Sequence, residues 1–350
     1  MKEVCVIGHF AFGEELLNGQ TIKTKIIAAE LEKQLGEDQV MKIDTHGGKL
    51  ALFRMIFQAS CAMRTCRNVV MLPAHNGVRV FAPLLSFWKK RCRTGLHYIV
   101  IGGWLAHLLD SRKRLRESLK KFDGIYVETL TMKKALEQEG FGNVVVMPNC
   151  KELHILKPEE LSCSVSRPLR LCTFSRVMKE KGIENAVLAV AEVNDRLGGP
   201  VFTLDIYGQI EHGYEDWFRK LSGSFPPGVR YCGCVAYDHS TEILKDYYAL
   251  LFPTELYMEG IPGTIIDAYA SGLPVISARW ESFYDLVEEN KVGLGYQLDN
   301  RKELVDTLLM VARDPMYMVR MKRACLEKAA DYTPEKVVGD FIRRLRGQDA

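Results

Sequence analysis

A short, continuous apolar run recurs along this chain, with helical or polar stretches between successive runs. Runs of this kind indicate strands that are buried on both faces, as in a parallel sheet. Their alternation with helices predicts an α/β fold of the doubly wound, Rossmann-like type. The predicted strands are Val4–Gly8, Val40–Asp44, Asn68–Leu72, Tyr98–Ile101, Gly124–Val127, Val144–Met147, Leu169–Phe174, Phe202–Tyr207, Val229–Cys232, Ala249–Phe252, Pro274–Ser277 and Gly293–Tyr296.

The runs fall into two sets and so predict two domains, because 350 residues exceed what one hydrophobic core usually holds. Residues 1–150 form the first domain and residues 169–332 the second. Between them, residues 151–168 lose the periodicity and gather proline, serine and charge, as a linker does. Residues 333–350 have the pattern of an amphipathic helix, whose apolar side needs a covering surface.

The stretch Glu255–Ile276 places a carboxylate in a glycine-rich turn directly before a helix. Glu259 is followed by Gly260, Pro262 and Gly263, and a helical pattern comes next. Glycines let a backbone approach a ligand closely, and the amides at a helix start point along its axis. We therefore expect this turn to hold an anion.

Two motifs resemble those of the family 4 glycosyltransferases, which are retaining enzymes of the GT-B fold that use nucleotide-sugar donors. Glu259 and Asp267 resemble the family's E-x7-E motif, and the segment FSRVMKEKG, from Phe174, is similar to its G-R-x-x-x-x-K-G segment. The resemblance is strongest over residues 169–295. Asp267 departs from the usual second Glu, and Ser175 stands where a Gly is common.

The resemblance implies that two Rossmann-like domains face each other across a cleft and that the terminal helix crosses back onto the first. It implies a hexosyltransferase that moves a sugar, with retention, from a UDP- or GDP-sugar to a glycan or lipid-linked acceptor, in surface polysaccharide or glycolipid assembly. No metal or other cofactor is predicted, because the sequence has no D-x-D motif and the family needs none. The implied catalytic residues are Arg176, Lys181 and Glu259. The implied donor-binding residues are Gly19, Gly208, Gly260, Ile261, Pro262, Gly263, Thr264 and Asp267.

The residue types fit these roles but also allow plainer ones. Arg176 and Lys181 follow a predicted strand, and a guanidinium with an ammonium suits a diphosphate and its departure. They could equally be incidental charges of an exposed loop. Glu259 has apolar neighbours, where an unpaired carboxylate is costly, although it could be a solvated loop residue. Asp267 could cap its helix together with Thr264.

Candidates in the first domain lie at or near predicted strand ends and would serve the acceptor side. Asn18 and Gly19 stand where the resembling family approaches the diphosphate, and Lys23 behind them could reach an anion or face water. Each histidine could instead be structural, and the tryptophan could pack in the core. The acceptor-side candidates are His9, His75, Gly102, Gly103 and Trp104.

Charge, cysteine content and apolar segments indicate which partners and which cellular compartment to expect for this chain. A net charge of +3 gives no overall field for nucleic acid, and ten scattered cysteines without zinc spacing indicate free thiols. The sequence lacks a leader and a spanning apolar run, which predicts a cytoplasmic protein. Two basic clusters could be solvated helix faces, or they could contact anionic lipid headgroups at the inner face of the cell membrane or a phosphorylated lipid acceptor. They are Lys89, Lys90, Arg91 and Arg93, and Arg112, Lys113, Arg114, Arg116, Lys120 and Lys121.

Two other functions stay open at this point. A nucleotide-sugar epimerase or a phosphorylase would use the same fold, although we identify neither a pyridoxal-phosphate lysine nor an epimerase carboxylate set. A non-catalytic sugar-nucleotide-binding subunit of a membrane enzyme would keep the donor residues without transferring a sugar.

Overall fold

The computed structural model describes residues 1–14, 19–47, 49–236 and 239–348, and for residues 49–52 it describes the backbone only. The chain divides into two compact units: unit 1 comprises Met1–Glu152 and Tyr332–Ala350, and unit 2 comprises Leu153–Asp331. Residues 153–168 of the predicted linker lie in unit 2. There Leu156 is buried and donates its amide N–H to the carbonyl of Ala270.

The described part of unit 1 is built on a sheet of six parallel strands. These are β1 (Lys2–Gly8), β2 (Val40–Asp44), β3 (Cys66–Met71), β4 (Gly95–Ile99), β5 (Gly124–Val127) and β6 (Val144–Val146). They lie in the order β2-β1-β3-β4-β5-β6. Because β2 and β3 lie on opposite sides of β1, the winding reverses beside β1. Ligands of open α/β sheets bind beyond the carboxyl ends of the strands at such a switch point.

The described part of unit 2 repeats this design with a second sheet of six parallel strands. These are β7 (Leu169–Phe174), β8 (Phe202–Tyr207), β9 (Val229–Gly233), β10 (Ala249–Phe252), β11 (Val275–Arg279) and β12 (Gly293–Gln297). Their order is β12-β11-β10-β7-β8-β9, so the winding reverses between β7 and β10. The predicted α/β class and its strands are confirmed, and no strand end moves by more than three residues.

Helices connect the strands and cover both sheets. They are α1 (Gly19–Leu35), α2 (Lys49–Thr65), α3 (His75–Lys89), α4 (Leu105–Leu109), α5 (Lys113–Leu119), α6 (Leu130–Gln138), α7 (Ile183–Arg196), α8 (Glu215–Ser222), α9 (Ser240–Leu244), α10 (Gly263–Ala270), α11 (Phe283–Leu286), α12 (Arg301–Arg313), α13 (Met316–Val319), α14 (Lys322–Ala329) and α15 (Pro334–Leu345). Within the described residues, no helix is both long and apolar enough to cross a bilayer.

The last helix, α15, follows unit 2 in sequence but lies in unit 1. Its apolar side, with Val338 and Phe341, packs into one core with Ile27 and Leu31 of α1. At the edge of this contact Lys33 forms a 2.7 Å ion pair with Glu335. The opposite face of the same sheet is covered by α2, α3 and α5, whose apolar residues share a second core. Burial of an apolar stripe therefore holds a distant segment of the chain on unit 1.

Candidate functional site

Lys181 and Glu259 are 78 residues apart in sequence but form an ion pair at the switch point of unit 2. The Nζ of Lys181 donates to Oε1 of Glu259, and the two side chains are 12% and 15% exposed. The Thr254 hydroxyl donates to the same carboxylate oxygen at 3.1 Å. Lys181 follows β7 and Glu259 follows β10, which are neighbours in the sheet. Two opposite charges therefore meet where an α/β sheet of this kind binds its ligand.

A glycine makes this meeting possible. Gly182 has a φ of +66°, and a Cβ at this position would lie 1.8 Å from the carbonyl oxygen of Pro253. Only glycine allows that approach, since it has no Cβ and tolerates a positive φ. The amide of Glu255 also donates to the carbonyl of Glu180 at 2.9 Å. The segments that follow β7 and β10 are thus joined backbone to backbone, and their side chains converge.

Gly208, at the end of β8, has a similar structural reason to be glycine. Its φ is +136°, and a Cβ there would lie 1.8 Å from the carbonyl oxygen of Ser175. Its amide donates to the carbonyl of Gly233 at 2.9 Å, and its own carbonyl accepts the Tyr231 hydroxyl at 2.8 Å. The space left by the absent side chain is therefore taken by the carbonyl of the residue before Arg176.

Arg176 is held apart from the Lys181–Glu259 pair. Its guanidinium donates to Oε2 of Glu211 at 2.7 Å, and its side chain is 60% exposed. The structure thus joins two of the three residues predicted to be catalytic. The third, Arg176, also follows β7, but its charge is paired with the carboxylate of Glu211.

The glycine-rich turn leads into α10 as predicted from the sequence. Gly260 and Ile261 are buried, Pro262 is the N-cap residue, and the helix begins at Gly263. The Thr264 hydroxyl in the first turn is buried and has no hydrogen-bond partner within the described part of the chain. An unsatisfied buried hydroxyl is costly, so a ligand that bonded to it would stabilise this end of the helix.

Asp267 is placed further along α10. Only 3% of this residue is exposed, and its Oδ1 accepts a hydrogen bond from the Ser240 hydroxyl at 3.0 Å. The suggestion that Asp267 and Thr264 form a helix cap is wrong, because the cap residue is Pro262 and no side chain makes the cap hydrogen bond. The predicted contact of Asp267 with a donor ribose remains a prediction.

In unit 1, a chain of hydrogen bonds runs through two histidines beyond the carboxyl ends of β1 and β2. Nδ1 of His9 is 2.7 Å from the Thr21 hydroxyl, and its Nε2 is 3.1 Å from Nδ1 of His46. Nε2 of His46 is in turn 3.1 Å from the Glu14 carboxylate. The pKa of His9 is lowered, first by burial and then by the neighbouring imidazole. A neutral His9 can pass or accept a proton along this chain.

Asp44 organises the loop that carries these histidines. Its carboxylate accepts backbone N–H bonds from Phe10, Phe12 and His46, each at 2.9 Å. Burial acts to raise the pKa of this carboxyl, but the backbone donors outweigh it and hold the pKa below its ordinary value. The anionic Asp44 therefore fixes the segment that follows β1.

His75 and Trp104 are stacked, with ring centroids 3.8 Å apart and planes inclined by 24°. The Trp104 indole donates to the carbonyl of Ile101 at 2.7 Å, and Gly102 has a φ of +84°. Gly103 is buried beside them. The acceptor-side candidates that follow β3 and β4 are thus close together, as candidates at neighbouring strand ends should be.

One other predicted position differs from expectation. Lys23 does not face water, because it is only 3% exposed. Its charge is already paired within the chain, since its Nζ lies 2.6 Å from the Glu128 carboxylate. Burial of this pair requires each charge to neutralise the other. Gly19 is the exposed first residue of α1. Asn18 lies outside the described residues.

Sequence reasoning missed His46, Glu14, Glu128 and Thr254. Three of them follow strands directly or closely: His46 follows β2, Glu128 follows β5 and Thr254 follows β10. Polar residues after buried strands in a doubly wound sheet gather at one edge, so this position alone could have identified them. Glu14 gave no such signal, because it lies in a loop after a glycine.

Comparisons with known proteins agree with this architecture. Residues 168–314 match the family model described as "Glycosyl transferases group 1". The "Amylovoran biosynthesis glycosyltransferase AmsK" of Erwinia amylovora is 25% identical over 146 residues, which cover 39% of this chain and 35% of that protein. A "GDP-mannose-dependent alpha-(1-6)-phosphatidylinositol monomannoside mannosyltransferase" of Mycobacterium tuberculosis is 28% identical over 195 residues, 53% of this chain and 49% of its own length. The chain thus spans between a third and a half of the length of these relatives.

Among solved structures, Anabaena Alr3699/HepE in complex with UDP and glucose superimposes with a TM-score of 0.73 at 15% identity, covering 99% of this chain and 100% of that one. Likeness at this identity establishes the fold. This chain has the GT-B fold, and its residues 168–314 are similar to the glycosyl transferases group 1 family.

Proposed function

We propose that this protein is a retaining glycosyltransferase of family 4, which moves a sugar from a UDP- or GDP-sugar to a glycan or lipid-linked acceptor in surface polysaccharide or glycolipid assembly. The observation that carries the proposal is the Lys181–Glu259 pair at the β7/β10 switch point, beside the start of α10. A nucleotide-sugar has a diphosphate and a polyhydroxylated ring, and this arrangement offers a cation for the first and a carboxylate for the second.

The diphosphate would lie against Lys181 and the amides that begin α10. A helix start favours negative charge, and the unsatisfied Thr264 hydroxyl adds a donor there. Arg176 follows the same strand as Lys181 and would exchange its surface partner Glu211 for a phosphate oxygen. As the glycosidic bond breaks, negative charge grows on the leaving diphosphate, so these groups act most strongly in the transition state.

Glu259 would accept hydrogen bonds from hydroxyls of the donor sugar, and Asp267 would act on the ribose or hold this end of α10 in place. Retention is consistent with attack and departure on one face of the sugar, where the leaving phosphate oxygen takes the proton of the acceptor hydroxyl. The proposal needs no metal, because Lys181, Arg176 and the helix start already supply positive charge at the diphosphate.

The acceptor side is proposed for unit 1, with His9, His75 and Trp104 beyond the carboxyl ends of its strands. The names of the relatives support both the donor class and the setting, since one belongs to amylovoran biosynthesis and another uses GDP-mannose on a phosphatidylinositol mannoside. A place in the cytoplasm, at the inner face of the cell membrane, suits such acceptors.

The test measures thermal stability of the purified chain with UDP, GDP and a panel of their sugars, followed by product analysis. A ligand at about 100 times its dissociation constant should add about 2.7 kcal/mol to the stability of unit 2. Lys181→Met should lose this stabilisation, whereas Lys179→Met, an exposed neighbour, should keep it. The proposal fails if no nucleotide or nucleotide-sugar shifts the melting curve.

Product analysis separates the alternatives. Transfer to an added glycan or lipid-linked acceptor, with the anomeric configuration of the donor kept, supports a retaining transferase. Inversion at the anomeric carbon would contradict the mechanism. An epimerised nucleotide-sugar formed without acceptor, or a sugar 1-phosphate formed with inorganic phosphate, would instead support an epimerase or a phosphorylase.

A further inference from the structure

The positive charge of this chain is concentrated in one segment of unit 1. Between Asp44 and Asp110 the sequence contains no Asp or Glu, although the whole chain has a net charge of only +3. The cations of this segment are Lys49, Arg54, Arg64, Arg67, Arg79, Lys89, Lys90, Arg91 and Arg93. An acid-free stretch of this length produces a local positive field that the small net charge of the whole chain does not reveal.

The fold places this segment in one layer. Helices α2 and α3 are neighbours, and their inner sides, with Met55 and Ala59 of α2 and Phe81 and Leu85 of α3, belong to the same core. Their outer sides consequently point away from the sheet on the same side of unit 1. We name this outer surface the α2–α3 face and define it by Phe53, Arg54, Phe57, Arg64, Arg79, Val80, Phe87, Lys90 and Arg91.

Large aromatic side chains stand out from the α2–α3 face. Phe53 is 75% exposed, Phe57 is 70% exposed and Phe87 is 54% exposed. Phe53 and Phe57 are one helical turn apart, so they project together from α2. Exposed apolar groups that cluster in this way mark a site of interaction with a membrane or another protein.

The cations around these rings are available for a partner. Arg54, Arg64, Arg79 and Lys90 have no ion-pair partner within the described part of the chain. The Arg91 guanidinium lies 4.7 Å from the centre of the Phe87 ring, which leaves its charge open on the outer side. Some other cations of unit 1 are neutralised, as in the pairs Lys89–Asp123 and Arg116–Glu139, each 2.5 Å apart. The two basic clusters noted in the sequence therefore include residues already used in internal ion pairs.

We infer that the α2–α3 face binds an anionic lipid bilayer, with the three phenylalanines in the interfacial region and the arginines and Lys90 against lipid phosphates. A bilayer surface requires both features at once, because its headgroups carry negative charge and its acyl boundary accepts apolar rings. Duplex nucleic acid would use the cations but leave three phenylalanines exposed. A partner protein would also cover the phenylalanines, but it would have to bring acidic side chains to the unpaired cations. The inference does not depend on sugar transfer.

The experiment is co-sedimentation of the full chain, without nucleotide, with vesicles of phosphatidylcholine alone or with about one-third phosphatidylglycerol. Each basic side chain near an anionic surface strengthens binding about fivefold, equivalent to about 1 kcal/mol. Arg54→Gln/Arg91→Gln should therefore weaken binding to the anionic vesicles roughly 25-fold. Phe53→Ser/Phe57→Ser should weaken it at least tenfold at high salt, where the apolar contribution dominates.

Matched controls lie in unit 2. Arg313→Gln/Arg323→Gln removes the same number of exposed arginines, and Leu188→Ser/Leu197→Ser removes two exposed apolar side chains. Both should bind anionic vesicles like the unaltered chain. All variants should keep its melting temperature, since the altered side chains are exposed.

Three results would overturn the inference. The first is equal binding to neutral and anionic vesicles at low salt. The second is vesicle binding that Phe53→Ser/Phe57→Ser leaves unchanged, with tight binding to a DNA duplex or a single strand, which would assign the face to nucleic acid. The third is absence of vesicle binding together with a concentration-dependent dimer that Phe57→Ser abolishes, which would make the face an interface between two copies of this chain.

Discussion

The Lys181–Glu259 pair allows a test of whether Lys181 binds a diphosphate in place of the Glu259 carboxylate. Glu259→Gln keeps the size of the side chain and an oxygen that can accept the Thr254 hydroxyl, but it removes the charge. Lys181, only 12% exposed, is then left without a counter-charge. The substitution should lower the stability of the empty chain, while a bound diphosphate should replace the missing charge.

The exposure of the pair sets the magnitude. Exposed ion pairs contribute about 0–1 kcal/mol, whereas breaking a fully buried pair costs about 3–5 kcal/mol. With side chains 12% and 15% exposed, this pair lies between these limits, so we expect a loss of about 2 kcal/mol. For a unit of this size, that loss corresponds to a decrease of roughly 4–8 °C in the melting temperature of unit 2. The double variant Lys181→Met/Glu259→Gln should recover part of the loss, because no unpaired charge remains.

The assay is calorimetric unfolding of the wild-type chain and the variants, with and without saturating UDP or GDP. Glu255→Gln is the matched control, since Glu255 is an exposed carboxylate in the same loop whose bond from Asn185 the amide retains. Nucleoside diphosphate should stabilise Glu259→Gln more than it stabilises the wild type. If Glu259→Gln is as stable as Glu255→Gln, or gains less from the nucleotide than the wild type does, the proposed role of Lys181 is wrong.

Three further predictions concern the stability of the two units. Gly198→Ala should cost about 1 kcal/mol from its positive φ alone. Gly182→Ala should cost roughly 3 kcal/mol, because its Cβ also meets a backbone carbonyl. Urea unfolding of unit 2 measures both losses, and equal losses would contradict the steric argument. Burial lowers the pKa of His97 to about 4. The unfolded chain therefore binds this proton first, and unit 1 should lose about 1.4 kcal/mol of stability per pH unit as the pH falls from 6.5 towards 4. His97→Gln should remove this pH dependence of stability, and an unchanged dependence would refute the assignment. Phe341→Ala should destabilise unit 1 by about 3–4 kcal/mol and leave the unfolding of unit 2 unchanged; a loss confined to unit 2 would contradict the packing of α15.

The sequence predicted the fold well because its signals were local. A strand buried on both faces must be continuously apolar, so β8 and β10 were found with their bounds unchanged. The turn that holds Glu259 was likewise visible, since glycine and proline restrict the backbone through their own covalent structure.

The sequence alone determined the α/β architecture, the two sets of strands and the residues that follow each strand, because these depend on the spacing of apolar residues. Which of those residues meet depends on the tertiary fold. Lys181 reached Glu259, Lys23 turned inward to Glu128, and Arg176 turned outward to Glu211. An ion pair depends on distances of a few ångström between segments far apart in the chain, and strand order together with the close approach at Gly182 sets those distances.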